Sequence, residues 1–571
     1  MKSGSDTEYK ANLYLIAGRA YPLRLEFSKA KQGVDDSKNQ KSKPPSAQAS
    51  IVLLWRPPAG VLEPIPERNL MPHQGPEIWV CSASFPPDDR SAGWERATSI
   101  SKEWHAAVTE ANLETTAYVA AHLDELAGVR QTDRNPRPAS GDPAGISFDA
   151  RSAPIASPER TKKLQAFARQ FVERAYRKPL SQEQVIAIER QFGSDQDPDV
   201  AVKRVVLLAL QSPHFLFREL NVQPDGYDVA SRLAFGLWDS IPDQELLRAA
   251  QTGGLKTPEQ VRKQAERMLG DPRARTKLRD MLLSWARADH GLDLSKDPKR
   301  FPGFDEQVLA DLRTSLELQV EEVINSSDAD FQRLFLSDKV FMNGRLAKFY
   351  GVDLPENSGF TPVSLDPGKR AGVLTHPYLM TSFAHATESS PIHRGVFLAR
   401  GMLGVSLRPP AEAVTPLAPE LHPTLTTRER VALQTQVGNC MSCHGIINPL
   451  GFTLEHFDAV GRYRDTDNGK PVDATGSYRQ RSGALIKLTG ARQLGEYLAG
   501  SDEAHAAFVE QMCHYLTQQP IRAFGPDTAN ELKLAFVREK FNIRRLAVEV
   551  MAATALASRE QQSAATLPNK R

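Results

Sequence analysis

The sequence predicts a multidomain, mainly α-helical protein with a β-rich N-terminal part and a helical C-terminal region. Three observations carry that prediction. A chain of 571 residues is too long for one core and has room for roughly three to five compact units. Apolar residues fall in short or alternating runs before residue 75 and take up a helical period from about residue 157. Helix-start signatures then recur, and a Cys-x-x-Cys-His at residues 440–444 precedes the last helical stretch.

Between residues 12 and 70 the runs LYLIAG, AYPLRLEF and ASIVLLW read as strands, and the lysine-rich stretch 28–48 reads as a long hairpin loop. Residues 89–156 hold one expected helix, about 103–127, and then a linker rich in Pro, Gly and Ser. Beyond it, Leu164, Phe167, Ala168, Phe171, Val172 and Ala175 recur at i, i+3, i+4, i+7, i+8 and i+11, which is one buried helix face. Ser157-Pro158-Glu159 supplies an N-cap, a first-turn proline and an acidic first turn. Ser181 with Gln184, and Thr257 with Gln260, repeat the start pattern. Val308, Leu312, Leu316 and Val320 form another stripe, so 157–350 is expected to be helical.

Residues 351–438 are richer in Pro and Gly, with helix signals at SPIHRGVFLARGMLG and TTRERVALQTQV. After the motif, DTDNGKPVDATGSY carries the Asn-Gly turn of a hairpin. Asp465, Asp467 and Asp473 resemble a calcium loop only in part, because Gly469 stands at a ligand position and no glutamate closes the loop. Three amphipathic helices are expected at about 492–499, 501–518 and 528–557.

Lys and Arg number 71 against 69 Asp and Glu, a formal charge of +2 that gives no reason to expect a nucleic-acid partner. Cys81 stands alone, and Cys440, Cys443 and Cys513 lie in the last quarter, so no disulfide framework is implied. No run of eighteen apolar residues occurs, and the first residues lack the pattern of an export signal. Hydrolase and nucleotide motifs are absent from any strand-turn-helix setting.

Covalent haem attachment needs two thiols spaced for the two vinyl groups of a porphyrin and a histidine beside them to ligate the iron. Cys440, Cys443 and His444 supply all three. Three other readings stand beside it: a zinc site, for which a second ligand pair is missing; a redox dithiol, which needs a preceding strand; and a chance meeting at a helix end. A second axial ligand would come from His456, His505, Met512, His514 or Met551. On the helix 501–518, Phe508, Met512 and Tyr515 share the apolar face, and His514 falls about 200° round on the polar face. Met512 therefore ranks ahead of His514 as a metal ligand, with ordinary core packing as its alternative. Arg462 and Arg464 suit haem propionates or a solvated turn. His393-Arg394 is explained by the Ser390-Pro391 helix start.

Two resemblances extend these readings. Gly18, Tyr21, Glu26, Leu54, Trp55 and Ile65-Pro66 stand in an order similar to the second half of a protective-antigen-type β-sandwich, a family that often binds carbohydrate. The family's first strands are missing, so the chain is expected to begin inside a domain, downstream of any export signal. FVERAYRKPLSQEQ (171–184), ASRLAFGLWDSIPDQELLRAA (230–250), RMLGDPRAR (267–275), RAGVLTHPYLM (370–380), SSPIHRGVFLARGMLG (389–404) and CMSCHGIINPLGFTLEHFDAVGRYR (440–464) resemble a planctomycete-type family of multidomain exported cytochrome-c-like proteins. That resemblance implies covalent haem c on Cys440 and Cys443, with His444 as ligand, and a periplasmic or cell-surface location. It names no reaction, substrate or redox partner.

The full expectation is a multidomain, mainly α-helical chain with a partial N-terminal β-sandwich and a C-terminal cytochrome-c-like helical region. The divisions are a partial sandwich at 1–75, a connecting segment at 76–156 and helical domains at 157–222 and 223–350. A loop-rich region with the motif follows at 351–480, then a helical domain at 481–560 and a tail at 561–571. Two functional classes follow: an electron-transfer or oxidoreductase module with a polysaccharide partner on the β-sandwich, or a non-enzymatic surface, carbohydrate-binding or zinc-binding scaffold.

Overall fold

Helix starts written into the sequence set the architecture. The computed structural model describes residues 9–26, 51–58, 60–72, 78–86, 101–130, 157–193, 196–218, 220–288, 294–407, 423–436 and 440–558. The hairpin loop expected at 28–48, the linker over 131–156 and the tail 561–571 lie outside the described residues.

The first helical unit comprises α1 (Lys102–Ala121), α2 (Leu123–Leu126), α3 (Pro158–Tyr176), α4 (Gln182–Glu189), α5 (Pro198–Gln211) and α6 (Pro213–Leu216). Ser157 caps α3 by accepting the Arg160 amide, and Ser181 with Gln184 forms the capping box of α4. Leu164, Ala168 and Val172 of α3 bury against Val202, Val205 and Val206 of α5 and Val119 of α1.

A second core runs from Val229 to Ala555 and takes in the segments 223–350, 351–480 and 481–560 together. Its helices are α7 (Gly226–Trp238), α8 (Gln244–Gln251), α9 (Pro258–Met268), α10 (Pro272–Trp285), α11 (Glu306–Asn325), α12 (Arg333–Leu336), α13 (Gly344–Tyr350), α14 (Pro377–Ser382), α15 (Pro391–Val396), α16 (Thr427–Thr435) and α17 (Met441–Phe452). They are followed by α18 (Gly490–Gly500), α19 (Asp502–Thr517), α20 (Thr528–Arg538) and α21 (Ile543–Thr554). The stripe Val308, Leu312, Leu316 and Val320 is buried on α11, as its spacing predicts. No helix among the described residues is long and apolar enough to cross a membrane.

Strands are few, short and antiparallel. They are β1 (Leu54–Trp55) with β2 (Glu63–Pro64), β3 (Lys339–Met342) with β4 (Thr361–Ser364), β5 (Thr466–Asp467) with β6 (Lys470–Pro471), and β7 (Thr475–Arg479) with β8 (Leu485–Thr489). Asn468 and Gly469, at φ +50° and +78°, form the β5–β6 turn, so the hairpin reading of the aspartate-rich stretch holds. Before residue 75 the described residues form the two-residue β1–β2 ladder and a 3-10 turn at Glu67–Asn69. Tyr14, Leu15, Leu23 and Leu25 are exposed outside any ladder, so the described residues there do not pair into two sheets.

Two helical readings change. The segment expected as one helix over 528–557 is two, because Lys540 and Phe541 take left-handed conformations at φ +53° and +59°. The break is imposed from outside: the Phe331 amide donates to the Phe541 carbonyl at 3.0 Å and the Ile543 amide to the Ala329 carbonyl at 2.9 Å. The run beginning at Ser390 is helical only as α15, and its continuation Phe397–Met402 is a π-helical turn.

Candidate functional site

The Cys-x-x-Cys-His opens α17. Cys440 already has helical dihedrals, so it, Cys443 and His444 stand at i, i+3 and i+4, within a sector of about 100° on one helix. Both thiols are free and half-buried, as is His444, while Met441 and Gly445 beside them are exposed. Among the described residues the element before the motif is the helix α16, not the strand a redox dithiol requires.

His444 is held by a chain of side chains that fixes its proton. Thr435 donates its hydroxyl hydrogen to the Val431 carbonyl at 2.8 Å, so its oxygen can only accept, and it takes the Asn448 amide at 2.8 Å. That orients Asn448 Oδ1 toward His444 Nδ1, 2.9 Å away, which must then carry the hydrogen and donate it. In the neutral ring this tautomer puts the lone pair on Nε2, the form a metal-ligating imidazole needs. The residues present therefore fit the haem group: two unpaired thiols and one imidazole nitrogen share a helix sector.

The rest of α17 is locked from both sides. A Cβ on Gly395 of α15 would stand 2.0 Å from the Ile447 carbonyl oxygen, one on Gly451 would stand 1.9 Å from that of Pro391, and one on Gly476 of β7 would stand 2.0 Å from that of Pro449. Backbone meets backbone at all three places. Just beyond α17, the fully buried Arg394 donates to the carbonyls of Leu454 (2.9 Å), Phe457 (2.7 Å) and Asp458 (2.8 Å). Glu455, also buried, lies 3.5 Å from Arg394 and 3.1 Å from Arg464, and accepts from Ser389 at 3.0 Å. Burial pushes the Glu455 carboxyl above its ordinary range, against the pull of the two arginines.

The structure uses the candidate propionate partners elsewhere. Arg464 pairs with Asp467 at 2.7 Å as well as with Glu455, and Arg462 lies 4.0 Å over the Phe349 ring while donating to its carbonyl at 3.0 Å. His456 stacks on Tyr463 at 4.9 Å and donates from Nδ1 to the Arg464 carbonyl at 2.9 Å. Met512 is fully buried on α19, as its helical phase predicts; His514 is half-buried rather than on an open polar face. α17 packs chiefly on α15, β7 and α16, whereas α19 packs chiefly on α20, α21 and α7; both also touch the π-helical turn. Burial raises the Cys513 thiol to about 12, and no group of three or more His, Cys, Asp or Glu among the described residues is placed to hold a metal ion. Among the described residues the zinc reading therefore lacks its second ligand pair. Sequence reasoning missed Asn448, whose signal was its position four residues after His444, and it missed the burial of Arg394 and Glu455.

Three family profiles match the chain. Each is described as a protein of unknown function: DUF1595 over residues 163–219, DUF1592 over 225–352 and DUF1588 over 370–467. These are domains of the planctomycete multidomain cytochrome-c-like family, and the third spans Cys440, Cys443 and His444. No curated protein and no solved structure matches the chain.

Proposed function

We propose that the chain carries one covalent haem c on Cys440 and Cys443, with His444 as proximal iron ligand, and acts outside the cytoplasmic membrane as an electron-transfer or oxidoreductase module. The observation that carries this reading is the Thr435–Asn448–His444 chain, which makes Nδ1 the donor and turns Nε2 away from the helix's own hydrogen bonds, beside two free thiols. Bound there, the haem would supply reversible one-electron chemistry at its iron.

The protein's own residues would do the rest. Asn448 accepts the His444 Nδ1 hydrogen, which holds the ring orientation and keeps the imidazole electron-rich. The three close backbone approaches along 447–451 fix the helix that carries the ligands, so little rearrangement is needed at the site. A periplasmic or cell-surface location goes with attachment of c-type haem outside the cytoplasmic membrane, and the domain family is typically exported. A polysaccharide partner at the N-terminal segment belongs to the same reading, with its exposed Tyr14, Leu15 and Leu23 as contact candidates.

The assignment rests on Cys440, Cys443 and His444. A sixth ligand from α19, Met512 ahead of His514, would have to leave the core side of that helix; the substitutions given below separate ligand from core residue. The test of the main assignment is expression in the periplasm with cytochrome maturation machinery, denaturing electrophoresis and staining for haem peroxidase activity. A stained band that disappears in Cys440→Ala/Cys443→Ala is expected. An unstained band with both thiols titratable overturns the proposal, and stoichiometric bound zinc would replace it with the scaffold reading.

A further inference from the structure

A cavity of about 230 Å3 lies beyond the C-terminal end of α17, lined by Arg300, Glu388, Arg430, Asp458, Arg464 and Asp467, and by none of the cysteine or histidine residues of the motif. Its six charged side chains are three cations and three anions, so it favours neither a polyanion nor a metal cation. Four of them satisfy one another: Arg430 pairs with Glu388, and Arg464 with Asp467 at 2.7 Å. Arg430 is only 5% exposed, so this part of the wall is fixed.

The other two are opposite in sign, and neither makes an ion pair among the described residues. The Arg300 guanidinium donates to the Thr387 carbonyl at 3.1 Å and has four further N–H donors in hand. Asp458 Oδ1 accepts the amides of Val460 and Arg462, each at 2.9 Å, which leaves Oδ2 without a donor among the described residues. One cavity thus presents an unmatched guanidinium and an unmatched carboxylate oxygen.

We propose that this cavity binds a free α-amino acid by its zwitterionic head, with the ligand carboxylate on Arg300 and its ammonium on Asp458. A carboxylate matches a guanidinium in a two-point, charge-assisted contact, and an ammonium does the same service for a carboxylate oxygen. A neutral polyol would leave both charges uncompensated, and a simple anion would meet Asp458 and Glu388. The volume lies just below the ~300–1,000 Å3 of drug-sized pockets, which suits a ligand with a small side chain. Because the flanking pairs are already formed, the ligand would not have to order them.

Calorimetric titration and thermal unfolding of the full chain with L-alanine, N-acetyl-L-alanine, L-alanine amide and D-glucose test this. L-alanine is expected to bind and raise the unfolding midpoint, and the blocked analogues and glucose to bind at least tenfold more weakly. Arg300→Gln should weaken L-alanine at least tenfold and leave the unliganded midpoint unchanged. Asp458→Asn keeps the Oδ1 acceptor and should weaken it to the same degree. The proposal is overturned by absence of any L-alanine signal, by glucose binding as well as L-alanine, or by an affinity indifferent to both substitutions. The readout is the same with or without haem, so it stands apart from the cofactor assignment.

Discussion

The α15–α17–β7 crossing and the α18–α21 region sit in one continuous core but hold it by opposite means. At the crossing, three glycines let backbones touch, and the buried charges are answered by carbonyls and by each other. Around α19, rings do the work: Phe331 lies 4.5 Å from Phe508 and 5.1 Å from Phe335, and His505 lies 4.4 Å from Phe541. The first region leaves the two thiols and His444 half-buried at one helix end; the second turns its aromatic and methionine side chains inward to pack on one another. Met512 is packed inward there, so its spacing alone does not separate a ligand from a core residue.

Substitutions can break this contrast. Arg394→Met takes one of the two arginines from Glu455 and strands the carbonyls of Leu454, Phe457 and Asp458, and should cost about 3–5 kcal/mol in urea unfolding, the range for a broken buried charge pair. Gly451→Ala, whose new methyl would meet a backbone oxygen at 1.9 Å, should cost ~3 kcal/mol by the same measurement; a loss under about 1 kcal/mol would mean the crossing can open.

In the ring-packed region, volume matters more than backbone contact. Met512→Ala should cost about 2 kcal/mol or a little more, and Met512→Leu less than about 1.5 kcal/mol. In the haem-loaded protein neither should change the visible spectrum if Met512 is a core residue. Loss of a thioether-to-iron absorption in both would instead make it the sixth ligand, and His514→Ala is the next substitution if the spectrum holds. On α17 itself, Asn448→Ala removes two hydrogen bonds, to His444 and to Thr435, each worth about 1 kcal/mol. The same change should raise the midpoint potential of the loaded protein, because His444 would donate less to the iron, and Asn448→Asp should lower it.

Much of this was readable before the coordinates. The helix starts at Ser157, Ser181, Thr257 and Ser390 are local chemistry, each a side-chain oxygen three residues before an amide, and all four form. The Asn-Gly turn is local in the same sense. The break at Lys540 and Phe541 is not, because the partner that enforces it lies some 200 residues away at Ala329 and Phe331. At the site, the motif gave the three ligand candidates, and the four-residue step to Asn448 was there to be read. The burial of Arg394 was hidden, since a helix-start pattern accounts for SPIHRG without telling which side of the helix meets carbonyls. Arg462 and Arg464 looked available only because Phe349 and Asp467 are placed by the fold.

Pro449 sits inside α17, and this has a consequence for the motion of the motif. A proline brings no amide hydrogen to the ladder, so the Gly445 carbonyl loses its helical donor just where the exposed turn joins the clamped one. The helix is thereby divided into a front that can unwind and close again by itself and a back that yields only when the whole core does. Deuterium should enter the amides of residues 443–447 by local opening, orders of magnitude sooner than those of 450–452. An attachment enzyme could thus reach both thiols in a chain whose core has already folded, and thioether bonds, once made, would slow that front to the pace of the back.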